Sequence, residues 1–204
     1  MEGGNHLMKI LMNKENITGL ILAGGAGSRI GGADKGFLKY ADLTLIEHQI
    51  QWLKPQVKTL LISANRNISQ YQNFSYSVLE DNNDGFEGPL WGLKKGLENC
   101  VTDWLFVQPI DMPDLPTNLI GLLAENILLS EVSQESDCFY LISDQREHYL
   151  SMLINRKCLL ALQRFLNTGN KRVRDFHRQI GSLTVDLKIK ETNFKNLNFQ
   201  SDYQ

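Results

Sequence analysis

The sequence predicts one α/β domain with a mainly parallel β-sheet and helices on both faces. Short apolar runs recur along the chain, with helical patterns between most of them, which is the order expected of repeated β-α-β units. A glycine-rich loop directly follows the first run, as in open α/β sheets whose ligands bind at the carboxyl ends of strands. The length of 204 residues suits a single domain with its own core.

The predicted strands are apolar runs of the length expected for strands buried in a sheet. They cover residues 18–23, 59–64, 76–79, 104–108 and 138–142. The helices have local signals of their own. Thr44 followed by Glu47 is a capping-box pattern ahead of an apolar face, and Pro55 ends that helix. Three further helices are predicted to begin at Pro89, to follow Pro116 and Thr117, and to cover residues 157–166.

Composition and charge exclude several classes of protein. The formal net charge of −2 gives no general basic field, so nucleic acid is not an expected partner. The three cysteines are widely spaced and form no C-x-x-C pair, which argues against a disulfide framework and against a thiolate metal site. These features predict a cytoplasmic protein. The cysteines are Cys100, Cys138 and Cys158.

No membrane segment is predicted, because the longest apolar runs are far shorter than the roughly 20 residues that span a bilayer. Residues 1–16 lack the apolar centre of a signal peptide. We expect residues 1–16 to form a flexible extension and residues 17–204 to form the domain.

The glycine-rich loop begins at the end of the first predicted strand. Glycines there allow backbone amides to approach phosphate oxygens, and successive amides can form an anion-binding nest. Arg29 and Lys35 add positive charge, so the loop is typical of a nucleoside triphosphate site. A dinucleotide-binding loop is disfavoured because Ile30 stands where its third glycine is needed. A P-loop is disfavoured because Gly36, rather than serine or threonine, follows Lys35.

A second candidate segment follows the strand predicted over residues 104–108. Pro109 and Pro113 discourage continued strand pairing, so Asp111 should project from the carboxyl edge of the sheet, into the same crevice as the glycine loop. Magnesium binds triphosphates through one or two carboxylates plus phosphate oxygens. Asp111 is therefore a candidate magnesium ligand, and the alternative is an aspartate that caps a turn.

Asn65 follows the strand predicted over residues 59–64. Its amide can offer both a donor and an acceptor to a base edge or a ribose, although the side chain could equally stabilise a turn. Gly88 and Gly92 bracket a predicted helix start whose amides could approach a nucleobase or sugar, or form an ordinary turn.

These segments resemble the signature of nucleotidyltransferases that join a nucleoside monophosphate to a phosphorylated acceptor, and within them the molybdenum cofactor guanylyltransferases of the MobA type. The family pattern reads Leu-Ala-Gly-Gly, then Arg, then Gly-Gly-x-Asp-Lys-Gly, matched here at residues 22–25, 29 and 31–36. The resemblance covers residues 17–198 and implies a single-domain Rossmann-like nucleotidyltransferase fold. It also implies a magnesium ligand at Asp111 and nucleotide contacts from Leu22, Ala23, Gly24, Gly25, Gly27, Lys35, Asn65, Asp81, Gly92 and Asp111.

The acceptor side resembles the family less closely. Arg172 belongs to a cationic run suited to an anionic acceptor such as a pterin phosphate, or to a solvated face. Asn196 and Asn198 match an Asn-x-Asn pair of the family, and the three residues are candidate acceptor contacts. His148 aligns with a family His-Pro pair in which Tyr149 replaces the proline, so a structural histidine is expected there.

The resemblance implies transfer of GMP from GTP to molybdenum-bound molybdopterin, with release of pyrophosphate. Lys35 and Arg29 would stabilise charge on the phosphate oxygens and Asp111 would hold Mg²⁺. A monomer is expected, in transient contact with proteins that supply or receive the cofactor. The alternatives are a cytidylyltransferase acting on the same cofactor, a nucleotidyltransferase acting on another phosphorylated acceptor such as a sugar phosphate, and a module that binds nucleotide or molybdopterin without turnover.

Overall fold

The computed structural model describes residues 13–24, 34–80, 88–129, 136–188 and 197. The strands within these ranges are β1 (Ile17–Leu22), β2 (Lys39–Tyr40), β3 (Leu43–Thr44), β4 (Thr59–Ser63), β5 (Ser77–Leu79), β6 (Trp104–Pro109), β7 (Cys138–Ser143), β8 (Arg146–Asn155) and β9 (Leu183–Asp186). The α-helices are α1 (Leu45–Leu53), α2 (Ile68–Gln72), α3 (Pro89–Glu98), α4 (Leu119–Leu129), α5 (Leu159–Asn167) and α6 (Val173–Ile180).

The main sheet has the strand order β5-β4-β1-β6-β8-β7-β9. Every neighbouring pair is parallel except those made by β8, which runs antiparallel to β6 and to β7. The carboxyl ends of the parallel strands therefore meet at one edge, where β8 begins. The short strands β2 and β3 form a separate antiparallel pair.

Helices cover both faces of the sheet, as the alternation of patterns predicts. One buried cluster packs α1, α2 and α4 against the first face, and the other packs α3, α5 and α6 against the second. The strands alternate accordingly, since Ile21 belongs to the first cluster and its neighbour Leu22 to the second. The predicted α/β fold is confirmed.

The local helix signals also hold. The Glu47 carboxylate accepts the Thr44 backbone amide at 2.8 Å, which is half of the predicted capping box, and Pro89 occupies the first turn of α3. Helix α4 begins at Leu119, and residues 117 and 118 form a turn just before it.

Strand β8 is a difference from the sequence-based expectation. It returns from β7 through Asp144 and Gln145, whose φ angles of 44° and 68° suit a tight hairpin turn. A register shift between Tyr140 and Leu141 breaks the regular pairing of β7 with β8. This irregularity hides the alternating pattern by which a strand is normally recognised. Helices α2 and α6 and strand β9 were likewise not expected.

The three cysteines, Cys100, Cys138 and Cys158, are free and buried, in agreement with the expectation of no disulfide framework. Of the extension expected over residues 1–16, the structure describes 13–16. Lys14–Asn16 form a 3₁₀ turn capped by the Asn13 side chain, and Glu15 lies 3.9 Å from Lys58. In the part of the chain that the structure describes, no helix combines the length and the apolar character needed to cross a membrane.

Candidate active site

Backbone hydrogen bonds hold the exits of β1, β4 and β6 together at the carboxyl edge of the sheet. The Ala23 amide donates to the Ser63 carbonyl at 2.8 Å, and the Ile110 amide donates to the Leu22 carbonyl at 3.1 Å. The first turns after these strands are therefore fixed relative to one another. This edge is where open α/β sheets bind ligands.

A cavity of about 260 Å³ lies at these strand exits. It brings together five residues that the sequence marks as site candidates, from the loops after β1 and β6 and from the 3₁₀ turn Lys35–Phe37. These candidates are Leu22, Ala23, Gly24, Lys35 and Asp111, and the remaining lining residues are Pro89, Pro109, Ile110 and Leu150. Asp111 therefore shares this cavity with Ala23 and Gly24, the described start of the glycine loop.

Lys35 and Asp111, which both line this cavity, form an ion pair. The Lys35 Nζ lies 3.1 Å from the Asp111 Oδ2, and the two side chains are 22% and 17% exposed. The other carboxylate oxygen, Asp111 Oδ1, is buried and has no hydrogen-bond partner among the described residues. Buried polar oxygens are normally satisfied, and a hard divalent cation prefers oxygen ligands. The Asp111 carboxylate therefore fits the magnesium role expected of it.

The turn that carries Asp111 is held from two sides. Pro109 is the last residue of β6. The buried Gln49 of α1 donates to the Met112 carbonyl at 2.6 Å, and the Leu197 amide donates to the Asp111 carbonyl at 2.9 Å. Sequence reasoning missed Gln49. Its signal is a lone amide on the buried face of α1, between Ile46 and Leu53.

Asn65 lies beside the glycine loop. A Cβ atom built on Gly24 would stand 3.5 Å from the Asn65 Nδ2, so the amide packs directly against the backbone after β1. The structure therefore places this candidate base or ribose contact next to the cavity. Its role toward a nucleotide stays a prediction.

Gly92 lies inside α3, where a glycine is needed for close packing of helix on sheet. A Cβ atom built there would meet the Ser63 Oγ at 2.6 Å and the Leu22 Cδ2 at 2.9 Å. This packing is a sufficient reason for glycine at the position. A direct contact of Gly92 with nucleotide stays a prediction.

Arg172 is exposed and immediately precedes α6, where its carbonyl accepts the amides of Asp175 and Phe176. The structure does not place it among the described residues that line the cavity. His148 is buried and its Nε2 lies 2.7 Å from the Ser143 Oγ, as suits the structural role expected of it. The remaining candidates lie outside the described residues, namely Gly25, Gly27, Arg29, Asp81, Asn196 and Asn198.

The β7–β8 hairpin adds a cluster of aromatic and charged residues that sequence reasoning did not single out. Glu147 accepts hydrogen bonds from the hydroxyls of Tyr149 and Tyr140, and both lower the pKa of its carboxyl. The rings of Tyr140 and Tyr149 lie beside that of His177 in α6. Burial lowers the pKa of His177, whose Nε2 lies 2.8 Å from the Tyr149 carbonyl.

The chain is similar to known proteins over most of its length. Residues 19–183 match the model of the MobA-like NTP transferase domain. The chain is 33% identical over 186 residues to a molybdenum cofactor guanylyltransferase of Haemophilus influenzae, covering 91% of this chain and 95% of the relative. The corresponding protein of Yersinia pseudotuberculosis is 35% identical over 187 residues, covering 92% of this chain and 93% of the relative.

The fold is similar to that of a solved structure. The crystal structure of molybdopterin-guanine dinucleotide biosynthesis protein A from Archaeoglobus fulgidus aligns with a TM-score of 0.70 at 18% identity, covering 91% of this chain and 94% of that one. At this identity the match shows a shared fold.

Proposed function

The chain belongs to the family of MobA-like NTP transferase domains, and we propose that it transfers GMP from GTP to molybdenum-bound molybdopterin with release of pyrophosphate. The observation that carries the proposal is the Lys35–Asp111 pair, set in a cavity at the strand exits beside the start of the glycine loop. The choice of GTP and of this acceptor follows relatives named molybdenum cofactor guanylyltransferase, which align over about nine-tenths of the chain.

In the proposed reaction, an oxygen of the terminal phosphate of molybdopterin attacks the α-phosphorus of GTP. A new phosphorus–oxygen bond forms, and the bond from the α-phosphorus to the bridging oxygen breaks, so that pyrophosphate leaves with that oxygen. The product is the guanine dinucleotide form of the cofactor. The attacking phosphate is already ionised, so no protein base has to remove a proton. Reactions of this type depend chiefly on positioning and on stabilisation of charge.

Among the described residues that line the cavity, Lys35 carries the positive charge. Its Nζ lies 3.1 Å from the Asp111 Oδ2, where it can stabilise negative charge that gathers on phosphate oxygens in the transition state. Backbone amides of the loop that begins at Ala23 would hold the triphosphate in line with the acceptor. Arg29 is proposed, from the sequence alone, to add a second positive charge.

Asp111 is the proposed magnesium ligand, through the oxygen Oδ1 that makes no hydrogen bond to the described residues. A magnesium ion bound there would neutralise phosphate charge and orient the triphosphate. Two hydrogen bonds hold the backbone that carries this carboxylate. Gln49 donates one to the Met112 carbonyl, and the Leu197 amide donates the other to the Asp111 carbonyl.

The remaining contacts are proposed from the sequence pattern. Asn65, Asp81 and Gly92 would contact the nucleotide, and Arg172, Asn196 and Asn198 the acceptor. One contact supports the acceptor assignment, because Leu197, which lies between the two asparagines, is buried and bonded to the Asp111 backbone. We further propose that the protein acts as a cytoplasmic monomer that contacts cofactor-supplying or recipient proteins transiently.

The proposal is tested by product analysis. Purified protein is mixed with magnesium, molybdenum-bound molybdopterin and equimolar GTP and CTP, and the products are identified by mass spectrometry. A guanine dinucleotide product is the expected result. A cytosine dinucleotide would overturn the choice of GTP but keep the reaction type. Bound nucleotide without any product would overturn transfer to this acceptor, and would favour another phosphorylated acceptor or a module that binds nucleotide without turnover.

A further inference from the structure

The carboxylate of Asp34 is the meeting point of three separate segments beside the candidate active site. Its Oδ1 accepts the Gly36 amide at 3.0 Å and the Tyr71 hydroxyl at 2.7 Å. Its Oδ2 accepts the Asn67 amide at 3.1 Å and lies 3.8 Å from the Arg66 Nε. The side chain is 4% exposed, so these contacts are made away from water.

The contacts fix the turn that carries Lys35. Asp34 and Gly36 flank Lys35 directly, and the hydrogen bond between them closes the start of the 3₁₀ turn. Tyr71 is fully buried in α2, and burial, followed by the nearby Asp34 charge, raises the pKa of its hydroxyl. The hydroxyl therefore stays a hydrogen-bond donor to Asp34 at physiological pH.

The same carboxylate binds the loop that follows β4. Asn67 and Arg66 contact Asp34, while the next residue back, Asn65, packs against Gly24 of the loop after β1. The loop that presents the candidate base contact and the turn that presents the lysine are thus tied through one buried charge. Hydrogen bonds to charged groups are among the stronger ones in proteins.

We propose that Asp34 is a positioning residue that holds the Lys35 ammonium against Asp111 and links the turn at Lys35 to the loop after β4. Its consequence for catalysis rests on the proposed function, whereas its consequence for the geometry of Lys35 does not. If Lys35 acts on charge that develops in the transition state, loosening Asp34 lowers kcat more than it changes KM.

The geometric part is tested by chemical acylation of lysines, followed residue by residue with mass spectrometry. Tyr71→Phe removes one donor to Asp34 with little change in shape. Asn67→Gly removes another and suits the positive φ of 52° at that position. We expect the acylation rate of Lys35 to rise several-fold in each variant, because a loosened turn lets the ammonium leave Asp111.

Lys94 is the internal control, since it is 20% exposed and paired with Glu98 at 2.9 Å. Tyr76→Phe is the matched variant, because Tyr76 packs against the same cluster and is not bonded to Asp34 in the described residues. An unchanged Lys35 rate in both Tyr71→Phe and Asn67→Gly would overturn the proposal. An equal rise at Lys94 would also overturn it, because it would reveal general loosening.

The catalytic part is tested with Asp34→Asn. This substitution removes the negative charge and replaces one of the two acceptor oxygens by an amide nitrogen, which cannot accept a hydrogen bond from Asn67 or pair with Arg66. A fall in kcat with KM nearly unchanged is expected, and an equal loss in Tyr76→Phe or a change confined to KM would overturn the role. If the unmodified protein yields no dinucleotide product, the proposed function fails while the acylation result still decides the positioning of Lys35.

Discussion

The Lys35 Nζ and the Asp111 Oδ2 lie 3.1 Å apart although 76 residues separate them in the chain. The pair joins the turn before β2 to the turn after β6, and it brings a positive and a negative group to one side of the same cavity. This arrangement suits the proposed transfer, because one group can meet phosphate oxygens and the other a cation.

Replacing the lysine should nearly abolish turnover. Lys35→Ala removes the ammonium that we propose stabilises charge in the transition state, and removal of one such contact commonly costs roughly 10²- to 10³-fold in kcat. The fold should persist, because Lys35 is a partly exposed residue of a short turn. The measurement is the initial rate of pyrophosphate release at saturating GTP, together with circular dichroism.

Lys94→Ala is the control for this change, since Lys94 has a similar exposure and a carboxylate partner in Glu98. It should leave turnover within a small factor of the original. Near-normal turnover of Lys35→Ala would remove the lysine from the mechanism.

Asp111→Ala should abolish the response to magnesium. The substitution removes Oδ1, the buried oxygen that fits a cation, and also removes the partner of Lys35. We expect a large loss of rate that added magnesium does not restore, measured as a magnesium titration of pyrophosphate release. A second titration should follow magnesium-dependent nucleotide binding by calorimetry. Asp114→Ala is the control, because it removes an exposed carboxylate that accepts a hydrogen bond from Tyr40, and it should keep both original titration curves. Unchanged curves for Asp111→Ala would refute the assignment of Asp111 as a magnesium ligand.

Gly36→Ala should destabilise the protein. A Cβ atom at this position would stand 2.1 Å from the Tyr71 hydroxyl oxygen and 3.1 Å from the Ile110 Cδ1, so the turn or Tyr71 has to move. Overpacking of this kind typically costs about 1–3 kcal/mol in the free energy of unfolding. The measurement is urea denaturation.

Gly121→Ala should change the free energy of unfolding in the opposite direction. Gly121 lies in α4, and no described atom lies within 4 Å of a Cβ built there. Replacing a helical glycine by alanine should therefore stabilise the protein by about 0.5–1 kcal/mol. Equal effects at the two glycines would mean that packing around Gly36 does not govern its identity.

The sequence predicted the parts of the fold and site that depend on local pattern. Three features each carry their signal within a few residues, namely the apolar run over residues 18–23, the proline-flanked Asp111 and the capping pair of Thr44 and Glu47. Parallel strands end at one edge, so the expectation that Asp111 lies in the same crevice as the start of the glycine loop also followed from sheet geometry.

The parts that could not be predicted depend on packing between distant segments. The position of β8 between β6 and β7 is set by strand pairing over long sequence distances. The register shift between Tyr140 and Leu141 also obscures the alternation of apolar and polar residues in β8. The Asp34 network depends on which face of a five-residue helix meets the turn at Lys35, and α2 is too short for its apolar periodicity to reveal that face. Tyr71 therefore has no local signal as a partner of Asp34.

The stability of the fold should depend on pH through the buried His177. His177 is 3% exposed, and burial lowers its pKa below the ordinary value, opposed in part by the hydrogen bond to the Tyr149 carbonyl and by the Glu147 charge. In the unfolded chain the ring titrates near about 6.5. On acidification through this range the unfolded state binds more protons than the native state, so the free energy of unfolding falls.

Urea denaturation at several pH values between about 5.5 and 7.5 should show that the free energy of unfolding falls as the pH is lowered. In His177→Gln the slope should be shallower, because glutamine can keep one hydrogen bond to the Tyr149 carbonyl or to Ser182 and does not titrate. His48→Gln is the control, since His48 is half-buried at the Tyr40 carbonyl, away from this cluster, and should leave the part of the slope due to His177 in place. A slope in His177→Gln equal to that of the original protein would mean that another group carries the pH dependence, because the buried ring is the only difference between the two chains.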